Sequence, residues 1–406
     1  MMREPDFVDE CYAGKDLSLL KKLTLVIPTY NRNYYLSRCL WYHAHFPFGE
    51  IIVADSSPEE KKVVNRETVA KVREMFGANV RYLEYEPETE KYGGDIYRKW
   101  GDAVQHVETE YSQICTDKEF LIPTTVNECI SFLDQHHDYC IAEGADYQLI
   151  WSGKKIIFCP WQNLVSLTDS NGIDRLHAYN MSKGEPLGTQ FSVQRSINHK
   201  NNYANLTLYQ INDIRFGETA IELQPVILGK TKRFIELPGN CRDCLHIKTN
   251  TTKGVLKTTS ESSFTRYPIL IDYPRERYTI LLSNIVRCFH DLIGKTNDNE
   301  GIAELDNQMP DLILKILMKR YAGTYRNPLL NKSPIIQYIW ENMSYPLKSL
   351  ISNRIGAGFV PAPLPHSAIT DELRCVLHII SLTNTSHDSD MPVHLLLERT
   401  RLKMFR

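Results

Sequence analysis

Two acidic residues separated by one position, Asp117 and Glu119, are a candidate metal site in this 406-residue sequence. They directly follow a short apolar run, Tyr111 to Cys115, which has the composition of a buried strand. Carboxylate oxygens are hard ligands, and Mg²⁺ or Mn²⁺ held by two of them can bridge a diphosphate. The spacing therefore predicts a divalent cation at Asp117 and Glu119. A solvated turn without metal is the competing interpretation.

Polar residues also follow two earlier apolar runs, 23–27 and 50–54, which resemble strands buried on both faces. The first run ends at Pro28-Thr29-Tyr30-Asn31-Arg32, and the second ends at Asp55-Ser56-Ser57. Neither end carries a GxGxxG or GxxxxGK[ST] loop, which argues against a Rossmann dehydrogenase and a P-loop NTPase. Ligands of open α/β sheets bind outside the carboxyl ends of the strands. These polar segments therefore predict a ligand site.

The elements that must position these residues alternate between strand and helix over the first 140 residues. Short apolar runs predict strands at 23–27, 50–54, 80–85 and 111–115. Apolar residues at helical spacing predict helices at 34–46, 59–76, 92–107 and 127–137. Such alternation is typical of a doubly wound α/β sheet. We predict that fold class for this part of the chain.

The pattern changes after residue 140. An antiparallel strand pair is predicted at 147–150 and 154–159, followed by an irregular stretch to about residue 205. A helix is predicted at 218–228, although Pro225 can end or kink it. The Thr- and Ser-rich segment 249–265 is typical of a linker or mobile loop. Further helices are predicted at 278–292, 309–321, 335–351 and 371–382.

Taken together, the three polar strand ends resemble those of the GT-A glycosyltransferases of the family 2 type. That family typically has P-T-[YF]-N-R after the first strand, a D-x-S-like turn after the second, and D-D-D or D-x-D after the fourth. The run from Tyr111 to Pro123 is similar to the family's Y-v-x-x-x-x-D-D-D-F-x-x-P. The resemblance covers residues 22–240 and is specific over the first 140.

The resemblance implies a particular fold and organisation. The fold class is α/β, with a GT-A domain (doubly wound, similar to nucleotide-diphospho-sugar transferases) followed by a mostly helical C-terminal region. We expect a catalytic domain at 20–248, a linker or mobile loop at 249–270 and the helical region at 271–406. The implied activity is transfer of a sugar from a nucleotide-sugar donor to a glycan or lipid-linked acceptor, as in bacterial surface polysaccharide biosynthesis.

The resemblance also assigns roles on the donor side. Asp55 corresponds to the acid that binds the base or ribose of the nucleotide, with a helix cap as the competing interpretation. Arg98 and Lys99 match a position near the diphosphate, where a solvated helix face is the alternative. The residues predicted to bind the nucleotide are Pro28, Thr29, Tyr30, Arg32, Asp55, Lys99 and Asp117.

The chain departs from the family at the centre of the acidic motif, where Lys118 replaces an acid. Its ammonium could stand beside the diphosphate and partly replace the charge of the metal, or it could weaken the dependence on metal. Because the two outer acids are retained, we expect Mn²⁺ or Mg²⁺ to be bound by Asp117 and Glu119.

An inverting sugar transfer requires a general base that takes the proton of the acceptor hydroxyl. The family places an Asp or Glu near the start of a helix well after the acidic motif, and the similar stretch here is 213–230. Glu218, at the predicted helix start, is the first candidate and Asp213 the second. Glu222 lies one turn further along the same face. The competing interpretation is an acid placed at a helix N-terminus because the dipole favours it there.

Composition limits the partners. Forty-seven Lys and Arg against 49 Asp and Glu give a net charge of -2, which argues against a nucleic-acid binder with a broad basic face. No apolar run approaches the roughly 20 residues that span a bilayer, and the first ten residues lack a signal pattern. We therefore expect a cytoplasmic protein. The short basic tail 399–406 could contact an anionic membrane, with a frayed terminus as the alternative.

Ten scattered cysteines also fit a reducing compartment. Only Cys241 and Cys244 have metal-ligand spacing, and no second CxxC or His pair follows them. We expect both to be reduced cysteines in a loop.

Two other functions are consistent with the same residues. A nucleotidyltransferase has a similar α/β scaffold, but such enzymes normally carry a GxGxR-type loop after the first strand, where this chain has Pro28 to Arg32. Alternatively, Lys118 could mark a degenerate transferase that serves as a nucleotide- or glycan-binding scaffold.

Overall fold

The structure, a computed structural model, describes residues 7–87, 93–152, 155–160, 165–181, 189–244, 275–295, 308–317 and 369–383. The strands are β1 (Leu23–Thr29), β2 (Glu50–Asp55), β3 (Val80–Glu84), β4 (Tyr111–Ile114), β5 (Glu119–Leu121), β6 (Tyr139–Ser152), β7 (Lys155–Pro160), β8 (Val193–Arg195) and β9 (Lys230–Asp243). The helices are α1 (Phe7–Cys11), α2 (Asn33–His43), α3 (Glu59–Phe76), α4 (Gly94–Gln105), α5 (Pro123–Gln135), α6 (Gly172–Met181), α7 (Ser196–Leu208), α8 (Ile214–Leu228), α9 (Arg275–Lys295), α10 (308–317) and α11 (Asp371–Thr383). Two 3-10 helices lie at Ser18–Lys22 and Thr189–Phe191.

The strands form one mixed sheet with the order β3-β2-β1-β4-β8-β6-β9-β5, and β7 pairs with β6 outside that path. Strands β1 to β4 are parallel, and β1 lies between β2 and β4. The chain thus runs outwards from β1 to β3 and then returns to the other side of β1, which is a doubly wound arrangement. The predicted α/β fold class is confirmed, and these four strands lie within two residues of their predicted bounds.

Beyond β4 the sheet becomes mixed. The predicted strand pair is confirmed as β6 and β7, which pair from Tyr147↔Pro160 to Ser152↔Lys155. The stretch predicted to be irregular instead contains β8 and most of α7. The sequence analysis also missed β9, a 14-residue strand with Pro238 and Gly239 in its interior. Pro and Gly are both uncommon inside strands, so the sequence pattern did not indicate β9.

Strand β9 lies parallel to β6 with irregular register near Gly144 and Ala145. A Cβ atom built on Gly144 would lie 2.7 Å from the Cα of Gly239, and one built on Gly239 would lie equally close to the Cα of Gly144. Real Cβ atoms do not approach other atoms so closely. The two backbones can therefore pass only where both strands lack side chains, and this crossing carries the end of β9 towards β5.

Two hydrophobic cores lie on the two faces of the sheet, because successive strand residues point in opposite directions. Leu25 belongs to the first core and Val26 to the second. The C-terminal helices contribute to both cores. In α11, Leu373 is part of the first, and in α9, Ile285 is part of the second. The described C-terminal segments are helical, as predicted, while the predicted domain boundaries stay a prediction.

Several predictions concern residues outside the described ranges. These are the linker 249–270, the helix 335–351 and the basic tail 399–406. Within the described residues, no helix has both the length and the apolar character needed to cross a bilayer.

Both cysteines of the CxxC motif are described. Cys241 is buried in β9, and Cys244 follows the end of that strand. They are free thiols, and burial raises the pKa of Cys244 to about 11, so it carries a proton at neutral pH. The motif begins in a strand instead of the expected loop.

Candidate functional site

The carboxyl ends of β1, β2 and β4 form a hydrogen-bonded group, which we call the strand-end cluster: Thr29, Arg32, Ser56, Lys99 and Asp117. Thr29 Oγ1 donates to Asp117 Oδ2 at 2.8 Å, and Arg32 Nη1 donates to Asp117 Oδ1 at 3.1 Å. The turn after β1 is also joined to β2, because the Asn31 amide donates to Ser57 Oγ at 2.8 Å. The structure thus brings together the three segments that the sequence predicted to share a site.

Lys99 reaches the cluster from α4, which packs beside β1 and β2. Its buried ammonium donates to Ser56 Oγ at 2.7 Å and to the Thr29 carbonyl at 3.2 Å. It therefore ties the ends of β1 and β2 together. The neighbouring Arg98 is exposed and pairs with Asp95 on its own helix. Of the two basic residues predicted near the diphosphate, only Lys99 is in the cluster.

Asp55 is fully buried at the end of β2. Its Oδ1 accepts from the Ser57 amide at 2.7 Å, while its Oδ2 accepts from Asn65 Nδ2 at 2.7 Å and from the Tyr82 hydroxyl at 2.5 Å. The carboxylate orders the turn after β2 and does not cap α3, whose N-cap is Pro58. Binding of the base or ribose by Asp55 stays a prediction, and these contacts show a structural role beside it.

Asp117 and Glu119 point to different partners. Asp117 belongs to the strand-end cluster, whereas Glu119 begins β5, which pairs with β9 so that Glu119 lies opposite Arg242. Glu119 Oε1 accepts from Arg242 Nε at 2.7 Å and from Arg242 Nη2, and its Oε2 accepts from the Thr116 amide at 2.8 Å. Glu119 is completely buried in this pair. Sequence spacing alone did not indicate it, because the partner lies 123 positions away.

This geometry bears on the divalent cation predicted at Asp117 and Glu119. Each oxygen of the two carboxylates already accepts a hydrogen bond from a protein group. Two of those groups are guanidinium ions, which a metal ion would have to displace. The residues as arranged therefore do not fit the cation. No group of three metal-ligating residues found within the described ranges includes either acid.

Lys118 lies between the two acids and is partly buried. Its ammonium stands over the ring of Tyr35 at 4.4 Å from the centroid. Burial and the nearby positive charge of Arg32 lower the pKa of Lys118, while Asp117 opposes that effect. The Lys118 carbonyl accepts from the Asp243 amide at 2.9 Å, which fixes this turn against the end of β9.

A buried ion pair supports the same turn from below. Arg38 of α2 donates to Asp243 Oδ2 at 2.6 Å, and both side chains are fully buried. The Arg38 guanidinium also lies over the rings of Tyr34 and Phe120, at 5.4 and 5.1 Å from their centroids. The sequence analysis missed Arg38 and Arg242. A charged pair within the CxxC motif, Arg242 and Asp243, was the available signal.

The predicted catalytic acids lie on α8, which begins four residues earlier than predicted. It begins there because Asp213 is its N-cap: Oδ1 accepts from the amides of Arg215 and Phe216 at 2.9 and 3.1 Å. Glu218 is therefore in the second helical turn, and the helix-start placement was wrong. A helix-terminus role thus fits Asp213, which is fully buried, better than Glu218.

Glu218 is partly buried, and its Oε1 accepts from Gln190 Nε2 at 3.3 Å. Gln190 lies in the 3-10 helix Thr189–Phe191, which is held against β4 because Gln113 Nε2 donates to the Phe191 carbonyl at 2.7 Å. The Phe191 ring lies 5.4 Å from the Arg242 guanidinium. Glu218 is thus placed on the β5–β9 side of the site. Glu222, one turn later, is buried and its backbone carbonyl accepts from Thr189 Oγ1.

A second group of potential ligands, Cys39, His43 and Cys115, is buried beneath the turn that carries Asp117. His43 Nδ1 lies 2.8 Å from the Cys39 carbonyl, and the Leu121 amide donates to His43 Nε2 at 3.2 Å. These contacts fix the tautomer with the proton on Nδ1 and occupy both ring nitrogens. We interpret the group as part of the core that supports the turn. The sequence analysis did not find it, since no spacing rule connects these residues.

Comparison with known proteins gives limited guidance. The sequence matches no protein-family model, and no curated protein sequence matches it. Among solved structures, it is similar to S. aureus TarS 1–349 in complex with UDP-GlcNAc at 12% identity and TM-score 0.39, covering 88% of this chain and 90% of that one. A second structure of TarS 1–349 gives 13% identity and TM-score 0.37, with coverage of 74% and 89%. A longer S. aureus TarS structure gives 14%, TM-score 0.35, and coverage of 82% and 53%.

Proposed function

We propose that this chain is a glycosyltransferase that moves a sugar from a nucleotide-sugar donor to a glycan or lipid-linked acceptor. One observation carries the proposal: the three segments that resemble family 2 glycosyltransferase motifs come together and bond to one another. Asp117 contacts Thr29 and Arg32, and the turn after β1 contacts Ser57. Parallel strand ends at such a switch point are where open α/β sheets bind ligands.

On the donor side, the turn after β1 supplies residues that can contact a nucleotide. Tyr30 and Arg32 are partly exposed, whereas Thr29 is buried and Pro28 lies within β1. We assign contact with the nucleotide to Tyr30 and Arg32, and positioning of the turn to Pro28 and Thr29. The turn is strained at Asn31, whose φ of 53° is in the left-handed region. The Ser57 contact holds it there.

On the acceptor side, we assign the general base to Glu218. Its carboxylate takes the proton of the acceptor hydroxyl while the oxygen attacks the anomeric carbon. The bond from that carbon to the diphosphate breaks with its electron pair, so the configuration at the carbon is inverted. Glu218 suits this role because it is partly exposed and lies past the first turn of α8, where it is not required as a cap. Asp213 is the cap and is assigned no catalytic step.

The leaving diphosphate gains negative charge, which the site must neutralise. The sequence predicts Mn²⁺ or Mg²⁺ on Asp117 and Glu119, and that prediction is tested by chelation. The observed contacts of both acids do not favour it, so no step here depends on a metal.

The proposal is tested by calorimetric titration with UDP and GDP, followed by hydrolysis assays on a panel of nucleotide sugars. We expect one nucleotide to bind, and its sugar conjugates to be hydrolysed slowly without acceptor. Asp117→Ala should weaken binding because it releases Arg32 and Thr29, while the control Asp138→Asn, at an exposed pair with Lys230, should not. Failure of every nucleotide to bind would contradict the proposal. Tight binding without turnover on any donor or acceptor would instead favour the degenerate scaffold.

A further inference from the structure

We propose that Arg32 and Lys118, in place of a divalent cation, neutralise the diphosphate of the donor. The inference rests on the proposed function and concerns the same site. Asp117 is bonded to Thr29 and Arg32, and Glu119 is bonded to Arg242 and the Thr116 amide. Neither acid presents the open pair of oxygens that a metal ion bridging a diphosphate requires.

Three ion pairs surround the turn 116–119. The three acids that lie in this turn or bond to its backbone each have their own cation: Asp117 pairs with Arg32, Glu119 with Arg242, and Asp243 with Arg38. Lys118 takes part in none of these three ion pairs. Among the described residues its ammonium makes no hydrogen bond and no ion pair, and its contact is the face of the Tyr35 ring. The positive charge of Lys118 is therefore not used in any of these three ion pairs.

Arg32 and Lys118 both lie near the start of α2. Arg32 is the N-cap residue of α2, and Tyr35, which supports the Lys118 ammonium, lies in the first turn of that helix. Both cations thus stand at the N-terminal end of α2. No side chain caps this end, and its first turn carries no acid. The positive end of the helix dipole adds to the two charges, and all three effects favour a phosphate group.

The chemistry of the two side chains is complementary. A guanidinium binds phosphate oxygens with paired hydrogen bonds, whereas an ammonium acts as a compact point charge. Arg32 contacts Asp117 through Nη1 alone and is 28% exposed, so other donors of its guanidinium can reach a ligand. In the transfer step the diphosphate leaves with the electron pair of the broken bond, and the acceptor proton goes to Glu218. The two cations neutralise the charge that develops, and no further reactant is required.

The test measures UDP affinity by calorimetry in excess EDTA and again in Mn²⁺, with uridine as the control ligand. We expect wild type to bind UDP equally well in both. Lys118→Met and Arg32→Met should each weaken UDP binding by about 10- to 100-fold, the usual effect of losing a hydrogen bond to a charged group. Uridine lacks phosphate, so its affinity should not change with Lys118→Met.

Matched variants separate charge from folding. Lys118→Arg keeps the charge and should retain UDP affinity. Lys21→Met removes an exposed cation before β1, at the opposite end of that strand, and should have no effect. Lys118→Asp restores the acidic triplet of the family and should make UDP binding depend on Mn²⁺. Wild-type binding that requires Mn²⁺, or unchanged UDP affinity in Lys118→Met, would overturn the inference. Absence of UDP and GDP binding under all conditions would instead overturn the proposed function.

Discussion

The strand-end cluster and the β5–β9 pair, Glu119 with Arg242, both join an arginine to a buried acid, but through different numbers of hydrogen bonds. In the cluster, Arg32 donates to the buried Asp117 through Nη1 alone, so its other donors can reach a ligand. In the β5–β9 pair, a completely buried glutamate is held by two nitrogens of one guanidinium. Only Lys118 lies between Asp117 and Glu119 in the sequence, yet one acid bonds to the turn after β1 and the other pairs across β5 and β9.

The difference shows how a change of strand direction divides a motif. Asp117 lies in the turn after a parallel strand, but β5 starts at Glu119 and runs antiparallel to β9. The side chain of Glu119 is therefore fixed by cross-strand pairing. A buried ion pair of this kind contributes chiefly through the cost of breaking it, since a single remaining charge is left without a partner.

The largest expected effect is on turnover, and it distinguishes two glutamates of α8. Glu218→Gln should lower turnover by about 10²- to 10⁴-fold, because the amide cannot take the acceptor proton. The near-isosteric change should leave donor affinity and melting temperature almost unaltered. Glu222→Gln, at the buried position one turn later, should lower the melting temperature and leave turnover near the wild-type value. Steady-state kinetics and thermal unfolding of both variants decide the assignment, and a dead Asp213→Asn beside an active Glu218→Gln would reverse it.

The second prediction compares the two arginines that hold the acidic motif. Arg242→Ala should lower the free energy of unfolding by about 3–5 kcal/mol, because it leaves Glu119 buried without its partner. Arg32→Ala should cost less, because it removes one hydrogen bond from Asp117, worth about 1.5–3 kcal/mol for a charged group, whereas Arg242 gives Glu119 two. Urea denaturation of both variants measures the difference. Equal losses would mean that the two regions are not distinct in the way described.

The third prediction concerns Asp146 of β6, beside the β5–β9 pair. Burial and the nearby Glu143 raise its pKa to about 7. Between about pH 4 and pH 7 the folded chain keeps this proton while the unfolded chain has lost it, so stability falls as pH rises, by at most about 1.4 kcal/mol per pH unit. Asp146→Asn should remove that fall, as measured by urea midpoints at pH 5 and pH 7. The exposed control Glu108→Gln should preserve it.

The smallest expected effect returns to the strand ends. Asp55→Asn replaces one carboxylate oxygen with an amide nitrogen. The change removes either the acceptor for Asn65 and Tyr82 or the acceptor for the Ser57 amide. We expect a loss of about 1–2 kcal/mol in the free energy of unfolding, in line with one or two hydrogen bonds. Nucleotide affinity should fall as well, because the turn also holds Asn31. Unchanged nucleotide affinity in a folded Asp55→Asn variant would contradict a donor-side role.

The elements that could be predicted from sequence are those governed by local pattern. The four parallel strands are short apolar runs followed by polar turns, and α3 lies at its predicted bounds, Glu59–Phe76. The family resemblance also singled out Lys99, which lies in the strand-end cluster. These features depend on residues close together in the chain, so the signal is complete within a short window.

The rest depended on contacts between distant residues. Strand β9 has a Pro-Gly interruption that is tolerated only because Gly144 of β6 faces it. The start of α8 depends on Asp213 Oδ1, which accepts from the amides of Arg215 and Phe216. The buried partners of Glu119 and Asp243 are Arg242 and Arg38, and no local pattern joins Arg38 to a residue 205 positions away.

The packing of α11 has a consequence for how the chain is made. Helix α11 lies against α1, where the rings of Phe7 and His378 are 4.6 Å apart and Lys15 pairs with Glu372. Its apolar face completes the first core, so the surface of that core is uncovered on the ribosome until α11 has been synthesised. At usual elongation rates, the interval between the two helices is roughly 20–70 s. During that time the apolar surface of the first core is either exposed to solvent or bound by a chaperone.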